Sequence, residues 1–269
     1  MRFTLFFILF FTLNSLYSQV LQGFSGSESL GLAQNVINPH SAGNLFLQPA
    51  VPLNNLGYYS SISSVVPAIS TSLSDFQLIL VKQNRLSAYK IGLVQANEAQ
   101  LRKQIFILGI SKKILPEFFM GIDLLYFHSG IPEYESGNLP GSQFSFFYKI
   151  NSNIQVASNL GLMKSFNPKE TLSNYYRLNL SWQLVPKLKF LLMAKKEPDG
   201  NSAEQSFAFQ FQKPESSFYI NSGSFINRPE FCFGLGFKYN QLDFNFSNSY
   251  RKYWGLRFAC SIQYFIGAQ

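Results

Sequence analysis

The chain has 269 residues, a formal net charge of +8, 46% hydrophobic residues and 29 phenylalanines. No segment beyond the N-terminal one supplies the roughly eighteen uncharged apolar residues of a membrane-spanning helix, which excludes a helical membrane protein. The lysines and arginines are dispersed singly near predicted strand ends and do not form one platform, so the basic charge does not predict nucleic-acid binding.

Residues 1–18 have the pattern of a secretory signal peptide. Arg2 provides the positive start, Phe3–Leu13 form an apolar core, and a plausible cleavage position follows Ser18. An apolar core of about eleven residues is too short to anchor a chain across a bilayer, which takes about twenty. We therefore expect export through the periplasm to the bacterial outer membrane, with the signal removed. Loss of Arg2 then lowers the charge from +8 to +7.

Residues 19–56 are rich in Gly, Ser, Asn and Pro and keep no period of two. We predict a short helical turn over about 29–36, followed by an irregular stretch, and interpret the whole segment as an N-terminal plug or latch. The candidate plug residues are Asn38, Pro39, His40, Asn44 and Pro49.

From Gly57 onward, bulky apolar residues alternate with small or polar ones. Phe207, Phe209 and Phe211, for example, fall on one face of a strand, and the residues between them fall on the other. Such strands separate two solvents, so residues 57–269 are predicted to form an all-β, antiparallel transmembrane barrel of about fourteen strands, with lipid outside and a polar lumen inside. The predicted strands are 57–66, 72–82, 86–96, 102–112, 117–128, 141–150, 153–164, 174–184, 187–197, 203–212, 215–225, 230–239, 241–250 and 254–266.

The predicted connections alternate between tight turns, such as 113–117, and longer loops, such as 130–141. Bacterial outer-membrane barrels place short turns on the periplasmic side and long loops outside, so this alternation favours a barrel. A soluble β-sandwich is the alternative, but its outward face would be charged. Here the face of the strand with the larger side chains is the apolar one, which carries Leu242, Phe244 and Phe246.

The two cysteines, Cys232 and Cys260, are predicted to remain unpaired. Cys232 alternates with Phe231 and Phe233, which places it on the lumen face, whereas Cys260 is in phase with Phe258 on the lipid face. Their strands are also separated by another strand, so the geometry for a disulfide is poor.

Two stretches resemble a known family. Residues 28–33 (ESLGLA) and 41–50 (SAGNLFLQPA) resemble the N-terminal signature of FadL-like Bacteroidota barrels of the PorV and PorQ type, and residues 228–250 are similar to that family's final hairpin. The resemblance implies a fourteen-stranded outer-membrane barrel. It also implies one of two roles, because such barrels either pass hydrophobic solutes or act as partners in the type IX secretion system.

Catalytic patterns are weak in this sequence. His128 is predicted on the lipid face at a strand end, and His40 in the plug can cap a turn, so a Ser-His-Asp hydrolase is disfavoured. No cluster of Cys, His and acidic residues has the spacing of metal ligands. We expect a non-enzymatic protein without metal or cofactor.

The remaining functional candidates are predicted to face the lumen. They are Asp123, Arg177, Lys238, Asp243, Arg257 and Gln263. These side chains can line a conduction path or form a closed charge network, and a plug that fills the lumen favours the network. A fixed plug is expected to pair its polar groups with Arg177, Asp243 and Arg257.

The length of the chain leaves little room for external loops. Of about 250 residues after the signal, about 38 belong to the plug and about 150 to strands, which leaves about 60 for thirteen connections. We therefore expect an accessory subunit of an envelope complex, by resemblance a type IX secretion component with outer-membrane lipid and protein partners. The alternative is a channel for hydrophobic or amphipathic small solutes, with the plug as its gate.

Overall fold

The computed structural model describes residues 30, 32–35, 37, 42–53, 55–67, 74–98, 101–130, 137–163, 173–196, 203–212, 216–252 and 255–267. The predicted signal peptide and the candidate plug residues Asn38, Pro39 and His40 lie outside this set. Among the residues described, no helix is both long enough and apolar enough to cross a membrane.

Fourteen antiparallel strands form one closed barrel, which confirms the predicted architecture. Each strand pairs with its neighbours in the sequence, and β1 closes the ring by pairing with β14, from Gly57↔Gly267 to Pro67↔Arg257. The strands are β1 (Gly57–Pro67), β2 (Ser74–Gln83), β3 (Ser87–Glu98), β4 (Leu101–Leu115), β5 (Phe118–Gly130), β6 (Gly137–Lys149), β7 (Ile154–Met163), β8 (Ser173–Val185), β9 (Leu188–Lys196), β10 (Glu204–Gln212), β11 (Phe218–Phe225), β12 (Glu230–Tyr239), β13 (Leu242–Arg251) and β14 (Gly255–Gly267).

The strand boundaries differ most from the predicted ones at the β5–β6 hairpin. Pro140 is atypical of a strand interior, yet the pairing of β6 with β5 continues past it to Ser129↔Gly137. The loop predicted over 130–141 is therefore reduced to residues 131–136. The connections 99–100 and 252–254 are also short, so the predicted alternation of tight turns and longer loops is only partly correct.

The two ends of the barrel carry different sets of connections. We call one the turn end, which carries 84–86, 116–117, 150–153, 186–187, 213–217 and 240–241. We call the other the loop end, which carries 68–73, 99–100, 131–136, 164–172, 197–203, 226–229 and 252–254. In outer-membrane barrels the short turns face the periplasm. The N-terminal segment reaches β1 at this turn end.

The outer face of the barrel is apolar, with aromatic residues near both edges. Phe209, Phe211 and Phe246 are exposed on it, whereas Ser206 and Ala208 point inward and are buried, as predicted. Exposed aromatic residues near the turn end are Tyr58, Tyr89, Tyr148, Trp182, Tyr239 and Tyr264, and those near the loop end are Phe76, Tyr126, Phe231, Tyr250 and Phe258. Two aromatic girdles around an apolar band are typical of barrels that span an outer membrane.

The two cysteines lie on β12 and β14, with β13 between them. Cys232 is buried on the inner face, Cys260 is exposed on the outer face, and both thiols are free, as predicted.

Candidate functional site inside the barrel

The described part of the plug lies inside the ring of strands. Most of its described residues between Leu30 and Leu53 are buried, whereas Asn55 and Leu56 beside β1 are exposed. The buried part bonds to inward side chains on strands that are far apart around the ring. Gln77 on β2 donates to the Gly43 carbonyl at 3.2 Å, and Ser206 on β10 donates to the Ala33 carbonyl at 2.7 Å. A segment can reach both strands at once only from within the lumen.

A short 3₁₀ helix, Ala42–Phe46, forms the centre of this segment, where the sequence predicted an irregular stretch. The N–H groups of Leu47 and Gln48 both donate to the Asn44 carbonyl at 3.0 Å. The last carbonyls of a helix have no partner within it. The carbonyl of Leu45 in the last turn, and that of Leu47 just after the helix, are therefore available to donors on the barrel wall.

Lys90 on β3 and Asp123 on β5 form a buried ion pair beside this helix. Lys90 Nζ lies 2.6 Å from Asp123 Oδ2 and 2.5 Å from the Leu45 carbonyl oxygen, and both side chains are buried. Gly109 on β4 lies between them, and a Cβ there would be 2.0 Å from Asp123 Oδ1. A buried lysine is tolerated when its charge is paired and its donors are used. Here Asp123 supplies the charge and the plug supplies the acceptor.

Strands β5 and β7 hold the plug just beyond the helix. Asn159 Nδ2 donates to the Leu47 carbonyl at 2.6 Å, and Gln48 Nε2 donates to the Ser158 carbonyl at 2.9 Å. At Gly121 the plug backbone approaches the wall so closely that a Cβ would lie 2.9 Å from both Ala50 N and Pro49 Cβ.

Of the candidate plug residues that the structure describes, Asn44 and Pro49 are buried inside the barrel. On the other side of the lumen, the Ala42 N–H donates to Gln263 Oε1 at 2.6 Å. Gln263 is thus a lumen candidate that hydrogen-bonds to the plug.

The inner wall over β1–β7 contains the largest apolar cluster of the barrel, which we call the apolar inner wall, alongside buried polar residues such as Gln77, Lys90 and Asp123, so the predicted polar lumen is only partly correct for this half. Inward residues of the wall pack against plug residues Ile37, Leu45, Val51 and Leu53 in one buried cluster. The wall members are Tyr59, Ile79, Val81, Ala88, Val94, Ala96, Ile105, Ile107, Leu125, Phe127, Phe147 and Ala157. The physical reason is that runs such as 105–108 and 124–127 are apolar throughout and cover both faces of their strands.

The inner wall over β8–β13, which we call the polar wall, carries mainly polar residues, as predicted, with smaller apolar clusters around Leu191 and Met193. Its buried members are Arg177, Asn179, Ser181, Lys195, Ser206, Gln210, Asn221, Glu230, Asn245, Ser247 and Ser249. Lys195 Nζ lies 5.9 Å from the centroid of the Tyr175 ring, within the range of a cation–π contact. The largest apolar cluster of the lumen therefore lies on β1–β7, and polar inward residues are more frequent on β8–β13.

Lys238 and Asp243 lie near the turn end of the polar wall and interact with other wall residues. Asp243 Oδ1 accepts a hydrogen bond from the Tyr219 hydroxyl at 3.0 Å, and Lys238 Nζ lies 3.9 Å from Asp243 Oδ2. Gly236 leaves room for the Tyr219 ring, because a Cβ there would lie 1.9 Å from Tyr219 Cζ.

Arg257 belongs to an ion-pair network at the loop end of β10–β14. It contacts the fully buried Glu230 and donates from Nε to Ser249 Oγ at 3.1 Å. Arg228 Nε lies 2.8 Å from Glu230 Oε2, and its Nη1 lies 2.5 Å from Glu204 Oε1. The described partners of Asp243 and Arg257 are thus wall residues, which corrects the expectation that the plug pairs with them.

Histidine side chains and metal ligands are the remaining candidates for chemistry at this site. His128 Nδ1 lies 2.8 Å from Asn138 Oδ1 near the loop end of β5, on the outward face as predicted, and His40 lies outside the described residues. Within the part of the chain that the structure describes, no group of three or more His, Cys, Asp or Glu side chains could hold a metal ion.

Comparison with known proteins identifies the fold. No family model matches the sequence, and no curated protein sequence matches it. Among solved structures, the CymD monoaromatic hydrocarbon channel superposes with a TM-score of 0.64 at 10% identity, over 94% of this chain and 99% of that one. The Pseudomonas putida toluene transporter TodX gives 0.64 at 10% identity over 92% and 99%, and a Pseudomonas aeruginosa FadL homologue gives 0.63 at 10% identity over 89% and 98%. The chain has the fold of these outer-membrane channels.

The described plug residues contact both sides of the lumen. Leu45, Val51 and Leu53 pack in the apolar cluster of β1–β7, and the Ala33 carbonyl accepts a hydrogen bond from Ser206 on the opposite side. Together with the bonds from Lys90, Asn159 and Gln263 to the plug, these contacts are the candidate functional site.

Proposed function

We propose that the protein is an outer-membrane channel for hydrophobic or amphipathic small molecules, with the plug as its movable gate. The apolar cluster on the inner wall of β1–β7 carries this proposal, because it offers apolar surface that a path for polar solutes alone does not need. Withdrawal of Leu45, Val51 and Leu53 would uncover aliphatic and aromatic side chains. Such a surface binds hydrocarbons and alkyl chains by removing apolar area from water.

The polar wall suits the amphipathic members of this class of solutes. A molecule with a polar head can place it against β8–β13 while its apolar part lies against β1–β7. The likeness to channels named for monoaromatic hydrocarbons and toluene supports the same proposal. Those relatives in fold are channels and not enzymes, which agrees with a non-enzymatic role.

Incomplete hydrogen bonding of the plug supports its movement. Both polar atoms of the Asn44 side chain and the Oε1 atom of Gln48 are buried, with no hydrogen-bond partner among the described residues. A buried polar group left unpaired costs about 1–3 kcal/mol. The closed state is thus less stable than it would be if every polar group of the plug were hydrogen-bonded. A solute that displaces the plug therefore needs less free energy to do so.

An accessory role in an envelope complex, such as type IX secretion, is the second candidate. The short connections favour it, because the longest one between consecutive strands covers only residues 164–172, and none is long enough to form a separate capture domain. In this role the plug would stay in place and the outer surface would bind the partner.

Uptake of a radiolabelled monoaromatic hydrocarbon tests the proposal. The protein would be expressed in the outer membrane of cells that lack their own hydrocarbon channel. A matched pair of variants locates the path: Ile107→Asn changes the apolar inner wall, and Leu108→Asn changes the lipid-facing residue next to it. We expect uptake with the intact protein, slower uptake with Ile107→Asn, and near-normal uptake with Leu108→Asn at equal barrel content.

Two results would contradict the proposal. No uptake by the intact protein, together with stoichiometric co-isolation with a large secretion barrel from the native membrane, would favour the accessory role. Equal uptake by both variants would mean that the apolar inner wall is not the path.

A further inference from the structure

The outer surface of the barrel contains a hollow of about 940 Å³ across β14 and β1–β5. Most of its lining residues face outward, and they include Tyr58, Leu80, Tyr89, Ile91 and Leu108. Ser60 lies between Leu80 and Tyr264 in the cross-strand register, so the small side chain leaves space where its neighbours are large. The volume is within the roughly 300–1,000 Å³ of small-molecule sites.

The edge of this groove at the turn end is basic. Lys82 lies directly opposite Tyr58 and Tyr89 in the strand register, and its Nζ atom is 5.4 Å from the centroid of the Tyr58 ring. Arg85 and Lys112 are exposed beside it, and Glu117 is the described acidic residue on the adjoining turn. Lysine and arginine side chains in this position extend their charges to the membrane surface while their stems cover apolar groups.

The tyrosines indicate how deep the groove lies in the membrane. Tyr58, Tyr89 and Tyr264 belong to the aromatic girdle of the turn end, and such girdles lie at the level of the lipid head groups. Ile91, Leu108 and Leu124 continue the groove toward the middle of the apolar band. The groove therefore runs from a basic edge at the head-group level into the hydrocarbon region.

We propose that this groove is a specific site for an anionic phospholipid of the leaflet at the turn end. The phosphate lies between Lys82, Arg85 and Lys112, and one acyl chain lies along Ser60, Ile91 and Leu108. A phospholipid matches both halves of the site, whereas a bare hydrocarbon would leave the basic edge unused. A second copy of the chain in a two-fold dimer would place the same cations against each other. The site is separate from the lumen and does not depend on solute transport.

Native mass spectrometry of the detergent-purified protein tests the proposal. Phosphatidylglycerol and phosphatidylcholine with identical acyl chains would be added in a titration. We expect tighter binding of phosphatidylglycerol, with one molecule retained per barrel. Lys82→Gln and Lys112→Gln should each weaken it roughly five-fold, because one cation near an anionic lipid contributes about that factor. Ser60→Phe should fill the groove and weaken the binding of both lipids.

Lys187→Gln is the matched control, because Lys187 is an exposed lysine in the β8–β9 turn at the same end but away from the groove. It should bind phosphatidylglycerol as the unchanged protein does. Equal binding of the two lipids, or an equal loss from Lys187→Gln and Lys82→Gln, would show general lipid coating and overturn the proposal. A dimer that Ser60→Phe dissociates would overturn it in favour of a second copy. If Ser60→Phe does not assemble, the lysine variants still decide the outcome.

Discussion

Removal of one member of the Lys90–Asp123 pair should destabilise the barrel strongly. Asp123→Leu leaves the Lys90 ammonium buried with the Leu45 carbonyl as its described acceptor, and Lys90→Met leaves a buried carboxylate whose other described donor, Gln143 Nε2, is 3.5 Å away. Breaking a buried pair in this way costs about 3–5 kcal/mol. Replacing both residues by apolar ones of similar volume is often neutral, or stabilising by about 1–4 kcal/mol.

The double variant Lys90→Met/Asp123→Leu is therefore expected to be more stable than either single variant. The free energy of unfolding would be measured by urea titration in lipid vesicles, followed by tryptophan fluorescence. The two single variants and the double variant form a double-mutant cycle that isolates the interaction between the side chains. If the double variant loses the sum of the two single losses, the two groups do not interact and the description of the pair is wrong.

Three further predictions concern the faces of the strands and the plug. Phe209→Arg, near the middle of the lipid face, should cost about 2–4 kcal/mol of unfolding free energy, whereas Tyr239→Arg at the turn end should cost about 0–1 kcal/mol; equal losses in urea titrations would mean that the membrane level is misassigned. A small maleimide should label Cys260 but not Cys232 in the folded protein in detergent, and mass spectrometry showing the reverse would contradict the assigned faces. Deletion of residues 22–50 should give steady ion conductance in a planar bilayer, where the intact barrel gives none; conductance by the intact barrel would argue against a filled lumen.

The number of strands and the direction of most side chains could be predicted from the sequence because they follow from a local rule. Successive side chains of a strand alternate between its faces, so Phe207, Phe209 and Phe211 must point the same way. This rule also separates Cys232 from Cys260. It needs no knowledge of which strands meet across the lumen.

The apolar inner wall could not be predicted by the same rule. Alternation distinguishes two faces only when they differ in polarity, and the runs 105–108 and 124–127 are apolar on both. Their uninterrupted hydrophobicity was the available signal that the inner face is covered by other protein. A strand whose inner face borders a water-filled lumen needs apolar residues only on its lipid face.

The contacts of the plug could not be predicted either, because they join residues far apart in the sequence. Lys90 meets the Leu45 carbonyl, and Gln263 meets the Ala42 N–H, only after the ring has closed. Asp123 was recognised as an inward residue from its place in the alternating pattern of its strand, but its partner on β3 depends on the register of three strands. The alternation of side chains along a strand could assign a residue to the lumen, but its partner could be assigned only from the closed barrel.

A disulfide between the plug and the wall tests the central claim most directly. Pro49→Cys and Gly121→Cys place the two Cβ atoms about 2.9 Å apart, and the plug backbone must move away from the new Cβ at Gly121, which brings the pair toward the roughly 3.5–4.5 Å of a disulfide. Cys232→Ser and Cys260→Ser would remove the native thiols, and Gly121→Cys alone would be the control, because it moves the plug in the same way without forming the bond. Uptake of a radiolabelled hydrocarbon should stop when the double variant is oxidised and return on reduction, with the control unaffected. Equal uptake by the oxidised and reduced forms would contradict a gate formed by the plug.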